Sequence, residues 1–261
     1  MPLSKNQQKR LLKQEAWAAT LAVRKQQRKE KKLKQREARK AHPPVPAAPL
    51  LIKTDKAEWL RRQANNSMGL VIDCDFYPQL TDKERHSLKQ QLMYSYSSLR
   101  HCAQPCRLYF TGLPAPLLEA LTQVSQGNWE AELETASFSE RFRKEDLVYL
   151  SADAENTLEE FDETKTYVIG GLVDHNRLKR ATISKANELQ IASAKLPIAD
   201  HLELTTTKVL AVNHVVGVIM KFRETKDWAQ SLVSVLPTRK KAKVKSESDS
   251  PAASPSASPP S

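Results

Sequence analysis

The chain has 261 residues, 40% of them hydrophobic, and a formal net charge of +11. That length suits one medium domain with extensions, or two small ones. Its three cysteines, Cys74, Cys102 and Cys106, give neither a disulfide framework nor paired zinc half-sites, and its longest apolar stretch, the 12 residues from Val209 to Met220, is too short for a membrane span of about 20.

The charge is unevenly spread. Residues 1–66 carry 18 Lys/Arg against 5 Asp/Glu, residues 67–238 carry 18 against 23, and residues 239–261 carry 5 against 2. Basic flanks around a mildly acidic core suit a polyanionic partner, because each neutralised phosphate releases condensed counterions. A solubilising arm or an import signal has the same composition. Residues 1–14 lack an apolar core, so no secretory signal is expected. The thiols are expected to be free in a reducing compartment.

In chain order, residues 5–40 read as one long basic helix, rich in Ala, Leu, Gln, Lys, Arg and Glu, with no Gly or Pro. Trp17 and Leu21 are its small apolar patch; a helix otherwise polar all round orders on a partner rather than on a core. His42 to Pro49 (HPPVPAAP) reads as a semi-rigid linker. From Met68 the pattern changes. GLVIDCDF (Gly69–Phe76) is a buried strand. Residues 81–101 form an amphipathic helix opened by Thr81 and Asp82. CRLYFTGL (Cys106–Leu113) is a strand ending in a Gly turn, and 115–125 a short helix. DLVYLSAD (Asp146–Asp153) is the third strand, 154–162 a short helix turning Leu158 and Phe161 inward, and TYVIGGLVD (Thr166–Asp174) the fourth strand. Then come a helix over 177–190, a short strand ASAKLPI (Ala192–Ile198), an apolar helix over 207–223 and a last helix over Asp227–Leu236. The Ser/Pro/Ala-rich tail, 241–261, is expected to be disordered.

Strands alternating with helices predict an α/β domain over 67–240, with a mainly parallel sheet covered on both faces. Ligands in such folds bind beyond the carboxyl ends of strands. That directs attention to Asp73, Asp75, Thr111, Asp153, Asp174, Asn176 and Pro197.

The most informative stretch is Tyr167 to Leu189, YVIGGLVDHNRLKRATISKANEL. The Gly170-Gly171 pair admits close approach of a backbone or ligand. It is neither a dinucleotide fingerprint nor a phosphate loop, and the glycine-rich methyltransferase loop after a first strand is replaced by DCDFYP. Composition alone names no cofactor; a strand ending in a tight turn with a capping Asp fits equally well.

The ordered set GLVIDCDF, YLSAD, YVIGGLVDHNR, AKLPI, KVLAVNHV and DWAQSLVSVLP resembles the eukaryotic and archaeal tRNA ninth-nucleotide purine methyltransferases of the SPOUT superfamily. The resemblance covers roughly 67–238, and the intact IGGLVDHN makes it closest to the nuclear and cytosolic branch. It implies a C-terminal deep trefoil knot, a rare exception to topology rules. It also implies S-adenosylmethionine as cofactor, tRNA as partner, a monomer with an N-terminal tRNA-gripping extension (1–66), and no metal. Two departures stand out: Gln190 lies where the family commonly has a glycine, and Thr205–Thr207 differ from the usual loop.

Carried onto this chain, the resemblance implies cofactor contacts from Leu150, Gly170, Gly171, Asn176, Leu196, Pro197, Ile198, Lys208, Leu210 and Asn213. It makes Asp174 the candidate base for the proton on ring nitrogen 1, a task for which an ordinary carboxylate is weak. The alternative role for Asp174 is capping the following helix or ordering Asn176. Lys25, Arg28, Lys29 and Lys32 on the arm are candidate RNA contacts, as are Arg177, Lys179 and Arg180 on the helix after Asp174. A tRNA-binding scaffold with a vestigial pocket is the competing reading, motivated by the two departures.

Overall fold

The computed structural model describes residues 17, 20, 26, 27, 29, 30, 56–174, 177–203, 209–236 and the backbone of 243–244. The chain divides into two units, Met1–Ile52 and Lys53–Ser261. In the first, the described residues are helical and Trp17 is exposed. The rest of the expected 5–40 helix lies outside the described residues, as do the His42–Pro49 linker and most of the tail.

The second unit begins earlier than the composition shift at 67 suggests. Helix α1 (Lys56–Ala64) belongs to it because Trp59 is fully buried. The indole donates to the Leu99 carbonyl at 3.4 Å and the Arg100 guanidinium lies 4.7 Å from the ring centroid. Burying one tryptophan contributes on the order of 3 kcal/mol, enough to hold a single short helix onto a core.

Strand β1 (Gly69–Asp73) is followed by α2 (Asp82–Arg100), β2 (Arg107–Thr111), α3 (Ala115–Ser125), β3 (Ala131–Leu133) and α4 (Phe138–Arg141). Next come β4 (Leu147–Leu150), β5 (Thr166–Gly170), α5 (Ala181–Glu188), β6 (Ala192–Ala194), α6 (Ile198–His201), β7 (Leu202–Glu203), α7 (Val212–Thr225), α8 (Trp228–Val235) and β8 (Lys243–Val244). Six strands form one parallel sheet in the order β3-β2-β1-β5-β4-β6. Alternation sends Leu70, Ile72, Leu108, Phe110, Tyr167 and Ile169 into a core shared with α2, α7 and α8. Val71, Tyr109, Tyr149 and Val168 face the other side, against Phe138 and Ala186. Both faces are covered, as a parallel sheet requires.

Local chemistry explains where elements stop. α2 opens on a capping box in which Thr81 and Glu84 satisfy each other's backbone donors. β1 ends at Asp73 rather than Phe76 because the Asp75 N–H turns back onto the Asp73 carboxylate at 3.0 Å. α7 starts at Val212, whose N–H is capped by Gln91 Oε1 at 2.9 Å, and not at 207. α8 is capped by Asp227, which accepts from the Gln230 N–H at 3.0 Å.

Three expectations need correction. Residues 154–162 are not helical. They run extended beside the segment after β6: Thr157 bridges Lys195, the Leu158 N–H donates to the Lys195 carbonyl and the Lys195 N–H to the Asn156 carbonyl, both at 2.8 Å. Phe161 is nonetheless buried, against Tyr167 and Trp228. The helix expected over 177–190 begins at Ala181, because Arg177–Arg180 are non-helical and Arg180 has φ +59. Within the tail, Lys243–Val244 pair antiparallel with Leu202–Glu203.

Gln190 also has a positive φ, +57, just beyond the end of α5. The Ile191 N–H reaches the Ala186 carbonyl across it. That left-handed position ends helices and favours glycine, since a Cβ there costs about 1 kcal/mol. Gln190→Gly should therefore stabilise the protein by about 1 kcal/mol in urea unfolding; a destabilised variant would contradict this reading of the helix end.

Candidate functional site

At the carboxyl edge of the sheet, β1 ends in a carboxylate with no solvent exposure. Asp73 Oδ2 accepts from Tyr149 Oη and from Lys185 Nζ, each at 2.7 Å. The same ammonium reaches Asp75 Oδ2 at 2.6 Å, and Ser137 Oγ donates to that oxygen at 2.8 Å. The rings of Phe76 and Phe138 lie 5.1 and 5.0 Å from the ammonium. Burial pushes the Asp73 carboxyl above its usual value, opposed by the Lys185 charge and by hydrogen bonds from Lys185 and Tyr149. Burial raises Asp75 too, but hydrogen bonds from Lys185 and Ser137 outweigh it and hold Asp75 below its usual value. Burial and the neighbouring Asp73 push the Tyr149 phenol well up. This cluster spans β1, β4 and α5. Sequence reading singled out Asp73 and Asp75 as residues after a strand but missed Lys185 and Tyr149, which are 112 and 76 positions from Asp73.

The backbone ties the cluster to the glycine pair. The Gly171 N–H donates to the Asp73 carbonyl at 2.7 Å, and a Cβ at Gly171 would meet that oxygen at 2.7 Å. At Gly170 a Cβ would meet Thr182 Cγ2 at 2.6 Å. Both glycines are there because β5 passes too close to its neighbours for a side chain.

Above them lies a cavity of about 400 Å³ at the carboxyl ends of β4, β5 and β6, a size usual for small-molecule sites. Apolar walls come from Leu150, Ile169, Leu172, Leu196, Ile198 and Leu210. Its charged groups among the described residues are Asp153, Asp174, Asp200, Arg180 and Lys195. Ser151 Oγ and Thr182 Oγ1 hydrogen bond at 2.8 Å, linking the end of β4 to the first turn of α5.

Of the residues singled out from the sequence, Leu150, Asp153, Gly170, Asp174, Arg180, Leu196, Ile198 and Leu210 share this one cavity. Gly171 lies beneath it, held to Asp73, while Pro197 precedes α6 and Asn213 sits in the first turn of α7; none of these three lines the wall. Asn176 and Lys208 fall outside the described residues, as do Lys25, Arg28 and Lys32 of the arm; Lys29 is helical and exposed. Asp174 Oδ2 accepts from the Leu178 N–H, so this carboxylate fixes the turn as well as lining the cavity. Arg177, Lys179 and Arg180 belong to that turn and not to a helix. Arg177 bonds the Gln79 carbonyl at 3.0 Å and Glu84 at 3.1 Å. The cysteines are free and buried, and burial pushes Cys102 and Cys106 up to about 12. No group of residues suited to a metal ion occurs among the described residues, and none of the described helices is long and apolar enough to cross a membrane.

Removing the shared cation tests the cluster. Lys185→Met should cost about 3 kcal/mol in urea unfolding, because it leaves Asp73 buried without its counter-charge. A loss under about 1 kcal/mol would show that Tyr149 and backbone groups satisfy Asp73 alone.

Comparison with known proteins converges on one family. The family model described as tRNA (guanine(9)-N(1))-methyltransferase TRM10/TRM10A matches residues 1–241. The tRNA methyltransferase 10 homolog A of Mus musculus is 39% identical over 191 residues, 72% of this chain. This chain spans 58% of the length of that mouse relative. The tRNA (guanine(9)-N1)-methyltransferase of Schizosaccharomyces pombe is 37% identical over 251 residues, 94% of this chain and 82% of that protein. Among solved structures, the full-length spTrm10–SAH complex is similar at 38% identity with a TM-score of 0.61, covering 66% of this chain and 96% of that one. A dual-specific Trm10 from Thermococcus kodakaraensis shares the fold at 21% identity and a TM-score of 0.53, covering 64% of this chain and 99% of that one. With its parallel sheet, its glycine pair and the cavity above them, the chain belongs to the TRM10/TRM10A family of tRNA (guanine(9)-N(1))-methyltransferases.

Proposed function

We propose that this chain transfers a methyl group from S-adenosylmethionine to ring nitrogen 1 of the guanine at the ninth nucleotide of tRNA. The observation that carries the reading is the cavity over Gly170 and Gly171, in a chain 38% identical to a relative solved with S-adenosylhomocysteine. The residues fit such a cofactor. Leu150, Leu196, Ile198 and Leu210 offer apolar walls for a purine. Among the described residues of the wall, Asp153, Asp174 and Asp200 outnumber Arg180 and Lys195, which suits a cationic ligand. Asn176 and Lys208 are further contacts implied by the family resemblance.

When bound, the cofactor supplies an electrophilic methyl on a sulfonium. The chain's own residues must align the base with it and take up a proton. Ring nitrogen 1 of neutral guanine carries hydrogen. For ring nitrogen 1 to take the methyl carbon, the carbon–sulfur bond would break with its electron pair staying on sulfur as a neutral thioether, and the nitrogen's proton would pass to a carboxylate. Asp174 is assigned this role because it lines the cavity from a turn fixed by its own bond to the Leu178 N–H. The ninth nucleotide is buried in folded tRNA and has to be drawn out before it reaches the cavity. The basic extension, with Lys25, Arg28, Lys29 and Lys32, is assigned the grip on tRNA while this happens.

The reading extends to the chain path. A deep trefoil knot is supported by how the 151–165 segment wraps the end of β6. It bonds the Ala194–Lys195 backbone on one side, while the Glu159 carbonyl accepts from the Trp228 indole at 2.7 Å and Glu163 pairs with buried Arg223 at 2.8 Å. We further assign a monomer acting in the nucleus or cytoplasm.

Two experiments test these assignments. Asp174→Asn keeps an oxygen for the Leu178 N–H but loses the basic carboxylate. It should lower turnover about 100-fold or more with tRNA affinity retained; unchanged turnover would remove Asp174 as the base. Deleting residues 1–40 should weaken tRNA binding and flatten its dependence on salt, and persistence of both would place the grip elsewhere. The competing scaffold reading gains if S-adenosylmethionine fails to bind while tRNA still does.

A further inference from the structure

Among the described residues, four other than glycine hold a left-handed backbone: Gln126, Arg180, Gln190 and Lys226. Three of them follow the last turn of a helix, α3, α5 and α7, where that conformation terminates hydrogen bonding. Arg180 is different. It stands at the start of α5, where the capping residue ordinarily has an extended backbone and a short polar side chain. It makes no side-chain cap hydrogen bond there. Strain with no helix-ending role is informative when it coincides with a site. Arg180 lines the cavity.

Its charge environment sets it apart from Arg177, and its place on the cavity wall sets it apart from Lys179, which is exposed but does not line the cavity. Arg177, three residues earlier, spends its guanidinium on Glu84 and the Gln79 carbonyl. Among the described residues Arg180 has no hydrogen bond or ion pair for its guanidinium, and it is exposed. Of the other described charged groups on the wall, three are carboxylates (Asp153, Asp174 and Asp200) and one is Lys195, which comes from the segment after β6. An RNA strand bringing a base to Asp174 carries phosphates towards those carboxylates. Asp174 accepts from the Leu178 N–H, two residues before Arg180. An exposed guanidinium at the rim suits a phosphate arriving from solvent better than a carboxylate of a ligand enclosed in the cavity.

We infer that Arg180 is a substrate-specific contact, clamping an RNA phosphate next to the extruded nucleotide, and that its strained backbone is retained because it aims the guanidinium over the cavity mouth. The inference rests on the proposed tRNA methylation and says which cation carries the substrate at the site. It makes Arg180, and not Arg177, the RNA contact of that turn.

The test compares Arg180→Gly and Arg180→Lys in the full chain. Readouts are thermal unfolding, S-adenosylhomocysteine affinity, and tRNA affinity with KM across a salt series. Arg180→Gly should raise Tm by about 2–4 °C, since glycine relieves the left-handed strain. It should leave cofactor affinity within about twofold, raise the KM for tRNA about tenfold, and reduce the salt slope of tRNA binding by about one. Arg180→Lys should keep the wild-type Tm and salt slope. Unchanged tRNA binding in Arg180→Gly overturns the inference. So does a loss confined to cofactor affinity, which would give the guanidinium to the cofactor. A lowered Tm overturns the strain argument. If the wild-type chain fails to methylate tRNA, the proposed function falls, while the affinity and salt arms still decide whether Arg180 meets RNA.

Discussion

A buried carboxylate organises the carboxyl edge of this sheet. Asp73 has no exposure to water, and an ion in that position is tolerated only with several well-placed partners. Lys185 from α5 and Tyr149 from β4 supply them, and the Lys185 ammonium is shared with Asp75 between two phenylalanine rings. These bonds fix the register of α5 against β1 and β4. That register in turn sets Thr182 beside Ser151 and Ala181 and Arg180 on the cavity wall. The carbonyl of the same aspartate holds the Gly171 N–H, so the glycine pair beneath the cavity is anchored to the residue that anchors α5.

A second constraint closes the cavity from the other side. The segment after β4 leaves the sheet extended and bonds to the backbone just after β6, so Leu150, Ser151, Lys195 and Leu196 converge on one wall. α7 and α8 hold the far end of that segment through Arg223 and Trp228. The cavity is thus assembled from stretches far apart in the chain, each held by backbone or buried polar bonds. Such preorganisation is what alignment of a methyl donor with a nucleobase demands.

Much of this was legible where the signal is local. Thr81 and Asp82 marked the start of α2, Asp227 the start of α8, and the apolar runs at Gly69, Cys106, Asp146 and Thr166 placed four central strands. The ordered motifs gathered Leu150, Gly170, Asp174, Leu196, Ile198 and Leu210, which the structure brings to one cavity. Errors came where distant partners decide. Leu158 and Phe161 have helical spacing, but the segment pairs with Lys195 instead. Residues 126–145 gave no periodicity because β3 is three residues long and α4 four. The Ser137–Glu140 capping box was the cue that would have found α4. No local pattern links Lys185 to Asp73. The departure at Gln190 was visible as a missing glycine, and its left-handed backbone supplies the reason.

The central claim is that the space over the glycine pair is a cofactor pocket and that the surrounding charges serve a nucleobase. Calorimetric titration of the full chain with S-adenosylhomocysteine tests it most directly, alongside Ala199→Phe, which fills the cavity from α6. The account predicts one-to-one binding by the wild-type chain and none by the filled variant at unchanged Tm. No binding by the wild type, or equal binding by both, would contradict it.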